Sequence, residues 1–108
     1  MEREHLFMFG YEDPAERESN DTHGTDNEST GAVRIIAADE KQALSWGREI
    51  AERFVKTLHQ DPTLSWKQLG FAAWIEEHPD DHLRQRRSDI PVVRVGEHPT
   101  NLLPVRGK

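Results

Sequence analysis

The sequence predicts an α+β fold of two layers. One main amphipathic helix packs on a mostly antiparallel sheet of three to four strands, in the order β-β-α-β-β. Three observations carry this prediction. Two apolar runs, HLFMFGY (5–11) and AVRIIAA (32–38), alternate with the period of a strand. Between 40 and 59 the apolar residues recur with the period of a helix. Two further β-prone runs, FAAWIEE (71–77) and DIPVVRVG (89–96), are each marked by glycine or proline.

In the first strand Phe7, Phe9 and Tyr11 share one face, and Leu6 and Met8 the other. In the second, Val33 and Ile35 point one way, Arg34 and Ile36 the other. Two strands joined by one connector pair antiparallel, which makes residues 12–31 an overlong hairpin loop. That segment, EDPAERESNDTHGTDNESTG, contains no Leu, Ile, Val, Met or aromatic residue. It is predicted to be an unstructured acidic loop, because it has nothing to bury. Closing ~20 residues instead of ~4 costs only about 1.4 kcal/mol, so such a loop is tolerable even without a function.

Asp39 opens the helix, and Gln42 three residues later completes a capping box. Leu44, Gly47, Ile50, Ala51, Phe54, Val55 and Leu58 form the apolar stripe, with Trp46 at its margin; Asp61-Pro62 ends the helix. Glycine inside a helix costs about 1 kcal/mol relative to alanine. Its place on the stripe therefore predicts a close approach of helix to sheet. Ser65 to Leu69 reads as a single helical turn stopped by Gly70, which favours a strand over 71–77 against the rival of one helix over 65–77. Residues 79–88 read as a polar turn or short helix, Pro91 marks an edge or the start of a strand, and residues 97–108 form a loose tail. The 108 residues make one small domain. Both faces of the first strand are apolar, so each needs cover; segment 64–69, the tail or a second copy are the candidates.

The net charge of −6 has a location. Residues 12–31 hold seven acids against Arg17 alone, 7 − 1 = 6, leaving 20 − 7 = 13 acids and 14 − 1 = 13 bases elsewhere. A balanced body argues against general nucleic-acid binding, which needs clustered excess cation. There is no cysteine, so thiolate metal sites, disulfides and cysteine nucleophiles are excluded. No signal peptide or membrane span is legible, and a cytoplasmic protein is expected.

Familiar chemistries are thinly represented. His78-Pro79-Asp80-Asp81-His82 has the i, i+4 histidine spacing of a helical metal site, with two carboxylates between, but lacks the Glu of a zinc-protease motif. Asp26, Glu28, Thr30 and Gly31 resemble the start of a calcium loop, yet the twelfth position, which requires Glu, is Ala37. No serine lies in a nucleophile elbow, and no glycine-rich phosphate loop exists. His59 and Asp61 at the helix end are explained by the dipole as well as by acid–base chemistry. LRQRR (83–87) with Arg94 is the basic patch, open to a phosphate, to the chain's own acidic segment or to solvent. Of Trp46, Trp66 and Trp74, Trp66 is expected to be the exposed one, since it lies in a short connector.

These features favour a non-catalytic protein-interaction module, regulatory or inhibitor/immunity-like, that needs no cofactor. Its partner-binding residues are Phe7, Phe9 and Tyr11 on the aromatic strand face, or Glu16, Glu18, Asp21, Asp26 and Glu28 on the acidic arm. Two alternatives stand beside it. One is a metal-binding protein or minor hydrolase using His78, Asp80, Asp81 and His82. The other is a homodimeric structural domain.

Overall fold

Strand β1 (Arg3–Tyr11) is the centre around which the computed structural model is built; residues 1–100, residue 102 and the backbone of 104–106 are described. It pairs antiparallel with β2 (Ser29–Ala37) over nine residue pairs, from Arg3 opposite Ala37 to Tyr11 opposite Ser29. On its other side lies β3 (Ala73–Ile75), also antiparallel. Strand β4 (Val92–Arg94) runs parallel to β2, giving the order β3-β1-β2-β4. A short β5 (Pro104–Arg106) pairs antiparallel with β2 at Thr30 and Gly31. The sheet is mixed but mostly antiparallel, and the fold is α+β.

Helix α2 (Glu40–Leu58) crosses one face of this sheet, and its Asp39 cap accepts from the Gln42 N–H at 2.8 Å. Gln42 Oε1 accepts from the Ala38 N–H rather than that of Asp39, so the box is completed one residue upstream. Beneath the helix, Phe7, Phe9, Tyr11, Val33 and Ile35 pack with Ala43, Ile50, Ala51 and Val55. Gly47 makes this contact possible. A Cβ added there would stand 2.3 Å from Cδ1 of the Phe7 ring, nearer than any real contact. Helix and sheet meet through the glycine, as its place on the stripe predicts.

After Gln60 the chain makes the one-turn helix α3 (Trp66–Leu69), which ends on Gly70 in the left-handed conformation (φ 79°). Trp66 is buried and its indole N–H donates to the Gly10 carbonyl at 2.8 Å, which corrects the expectation that it is exposed. The connector is short, but it is pulled onto the end of β1 by that bond and by an edge-on contact of Trp66 with Phe9.

The opposite sheet face carries a second, smaller cluster. Met8 and Ala32 are covered by Leu83 from helix α4 (Asp81–Gln85) and by Ile90, with Leu6 and Trp74 at the margin. The cover anticipated from segment 64–69, the tail or a second copy thus comes from residues 83–90. The apolar character of both faces of β1 therefore requires no second copy.

The largest departure from expectation lies between β1 and β2. Residues 14–23 form helix α1 (Pro14–His23), so the 12–31 segment is not an unstructured loop, and the element order gains a helix after the first strand. The expected loose tail falls partly on residues 101, 103, 107 and 108, which lie outside the described residues.

Candidate functional site

Helix α1 has no apolar side chain larger than those of Pro14 and Ala15, both exposed, and a ten-residue helix is marginal alone. Its stability therefore has to come from its ends. At the N-terminus, Asp13 Oδ1 accepts from the Glu16 N–H at 2.7 Å, and Glu16 Oε1 accepts from the Asp13 N–H at 2.9 Å. This is a reciprocal capping box, with Pro14 as the first helical residue. At the C-terminus, Gly24 adopts the left-handed conformation (φ 65°) and its N–H donates to the Asn20 carbonyl at 2.8 Å.

Two polar anchors join this helix to the sheet. Glu16, only 4 % exposed, also accepts from the Ser29 hydroxyl at 2.9 Å, which ties the first turn to the start of β2. Burial, followed by the nearby Glu16 charge, pushes the Tyr11 phenol up to about 12, against the lowering effect of its bond with Ser29. Asn20 holds the far end. Its Oδ1 accepts from the Asn27 N–H and from the Thr25 hydroxyl, and its amide N–H donates to the Asn27 carbonyl and to Glu12. A third tie comes from His59, whose ring nitrogen Nε2 donates to the Glu12 carbonyl at 2.8 Å. His59 therefore fastens the end of α2 to the base of α1 and is not paired with Asp61. The Asp61 carboxyl is instead held below the usual range by hydrogen bonds from Thr63.

The residues expected to bind a partner separate into two groups. Phe7, Phe9 and Tyr11 are 0 to 2 % exposed beneath α2, so the aromatic face is core and presents nothing to a partner. Glu16 is a structural anchor. Glu18, Asp21, Asp26 and Glu28 are exposed. Among the described residues none of these four is in an ion pair.

The body treats its charges differently. Arg34 and Arg87 both meet Glu4, Arg94 meets Glu2 at 3.0 Å, Arg84 meets Asp81 at 3.6 Å and Arg86 meets Asp89 at 3.5 Å. The basic patch thus pairs with the N-terminal acids and its own neighbours, and not with residues 12–31. Sequence separation hid this, because Glu4 reaches Arg87 only through the sheet register. Arg34 also donates twice to the Ile90 carbonyl, at 3.0 and 2.7 Å, so the cleft of about 170 Å³ between Leu6, Leu83 and these arginines is lined by committed groups.

The metal candidate does not assemble. Asp80 caps α4 by accepting from the Leu83 N–H at 3.0 Å, and Asp81 faces Arg84. Helix α4 begins at Asp81, so His78 precedes it and does not share a helical face with His82. Among the described residues no group of three or more His, Asp or Glu side chains is placed to hold a metal ion. No helix among them is long and apolar enough to cross a membrane.

Compared with protein-family models, curated proteins and solved structures, the chain matches none.

Proposed function

We propose that this chain is a non-catalytic protein-interaction module, and that α1 with its flanks is the docking element for a basic surface on a partner protein. One observation carries the reading. The helix contributes no apolar side chain to the fold, yet it is capped at both ends, anchored through Glu16 and Asn20, and left with two exposed, unpaired carboxylates, Glu18 and Asp21, with two more, Asp26 and Glu28, in the flank that follows it. A segment that only linked two strands would not need that construction. Fixed acids on a rigid element concentrate negative potential, which accelerates encounter with a cationic partner and fixes register on arrival. An inhibitor- or immunity-like role, in which the acidic helix occupies a basic site, is the form this binding takes.

The experiment compares affinity capture from the native cell extract with wild-type bait and with a Glu18→Gln/Asp21→Asn/Asp26→Asn/Glu28→Gln bait. Glu16 and Asp13 stay in place, so the helix stays. The variant is expected to lose the principal partner, and wild-type capture to weaken as salt rises from 0.05 M to 0.5 M, as the Debye length contracts to a few ångströms. An unchanged partner list would reject α1 as the docking element.

A further inference from the structure

The two edges of the sheet are finished differently. At the β4 edge, the Arg34 N–H donates to the Pro91 carbonyl at 2.8 Å, so the alternate residues Val92 and Arg94 turn outward. The outward groups of Arg94 are both used by Glu97: the Arg94 N–H donates to Glu97 Oε1 at 2.7 Å, and the Arg94 carbonyl accepts from the Glu97 N–H at 3.0 Å. At Arg94 that edge is capped from within the chain.

The β3 edge is open. The Gly10 N–H donates to the Ala72 carbonyl and the Glu76 N–H to the Leu6 carbonyl, both at 2.9 Å or less, with Met8 opposite Trp74. Antiparallel alternation then turns the backbone groups of Ala72, Trp74 and Glu76 toward β1, and those of Ala73 and Ile75 outward. Among the described residues nothing bonds to those two N–H and two carbonyl groups. Just before β3, a hollow of about 350 Å³ lies against Phe71, lined by Ser45, Arg48, Glu49, Trp66, Lys67 and Gly70.

The charge at one end of this edge is unbalanced. Glu77, just past β3, lies close to Glu40 at the start of α2. The contact and the repulsion raise the Glu40 carboxyl above its usual range, with His5 and Arg3 acting weakly the other way. Two adjacent acids beside four free backbone groups make a place for an extended, cationic chain.

We infer that the β3 edge is a strand-addition site for an extended peptide segment of a partner protein, with basic residues lying over Glu40 and Glu77. The segment pairs antiparallel with β3, so its basic residues are at its N-terminal end. This inference uses a surface separate from α1 and stands whether or not the α1 reading holds.

The probe is a capped seven-residue peptide of alternating Val and Thr with two Arg at its N-terminus. Amide exchange followed by NMR is expected to slow about tenfold at Ala73 and Ile75 with peptide bound, and not at Val92. Ala73→Pro removes an outward N–H at an edge position that tolerates proline, and Glu77→Lys reverses an exposed charge. Each is expected to weaken peptide binding about tenfold, a change of 1.4 kcal/mol. Unchanged exchange at both amides would sink the inference. So would equal binding of a peptide with two Glu in place of the Arg pair. A peptide-free dimer that Ala73→Pro dissociates would overturn it too, by giving the edge to a second copy.

Discussion

Two polar connectors leave this sheet, and they are built on opposite principles. The first, residues 12–28, joins β1 to β2; the second, residues 76–91, joins β3 to β4. Each opens its helix with an aspartate cap, Asp13 in one and Asp80 in the other. The second sends Leu83 and Ile90, 1 and 2 % exposed, onto the sheet face formed by Met8 and Ala32. The first sends no apolar side chain anywhere and is held by Glu16, Asn20 and the carbonyl of Glu12. The second also pairs its arginines with carboxylates, whereas the first leaves its acids unpaired. A connector anchored by burial is part of the core. One anchored only by hydrogen bonds keeps its whole outer surface available.

The contrast is broken most severely by Leu83→Ala. The side chain is fully buried, and truncation is expected to cost about 3 kcal/mol through lost transfer energy and a residual cavity. The measurement is chemical denaturation, with the transition staying single. A cost below about 1 kcal/mol would show that the second connector is held by its ion pairs and not by Leu83.

Asp13→Ala sharpens the other half. Loss of the cap is expected to cost about 1 kcal/mol. The effect is local: helical signal and amide protection fall over residues 14–23, while those of α2 hold. A global loss of protection would mean that α1 supports the core, contrary to its burial pattern.

The smallest effect concerns Glu77, in the second connector, against Glu40. The folded state raises the Glu40 carboxyl above its ordinary 4.5, so the folded protein binds this proton more readily than the unfolded chain does. Stability therefore falls as pH rises from 4.5 through the raised value, and the penalty persists at neutral pH. Glu77→Gln is expected to raise the melting temperature slightly at pH 7. The gain should vanish at about pH 3, where the Glu40 carboxyl is protonated in the folded and the unfolded state alike. Equal gains at both pH values would remove the repulsion as its cause.

Much of this architecture is legible in single residues. Alternation assigned the faces of β1 and β2 correctly, down to Arg34 lying opposite Val33. The Asp39 cap and the apolar stripe located α2, and Gly47 announced its contact with the Phe7 ring. Helix α1 was legible too, though by a different signal: Asp13-Pro14-Ala15-Glu16 is an N-terminal box, and Gly24 a C-terminal stop. Absence of apolar residues outweighed those end signals, because burial is the usual support of a helix and hydrogen-bonded anchors leave no periodicity. The exposed carboxylates of the candidate site could be named from sequence; their lack of cation partners could not.

The chain's own order of residues determined which segments alternate, which coil, and where the negative excess sits, since those follow from local sterics and composition. Tertiary structure alone decided that Trp66 is buried, that Arg94 and Arg87 meet Glu2 and Glu4, and that the β4 edge is capped at Arg94 while the β3 edge stays open. Each of these depends on groups brought together from distant parts of the chain by strand register, and register is set by the packing of the whole sheet.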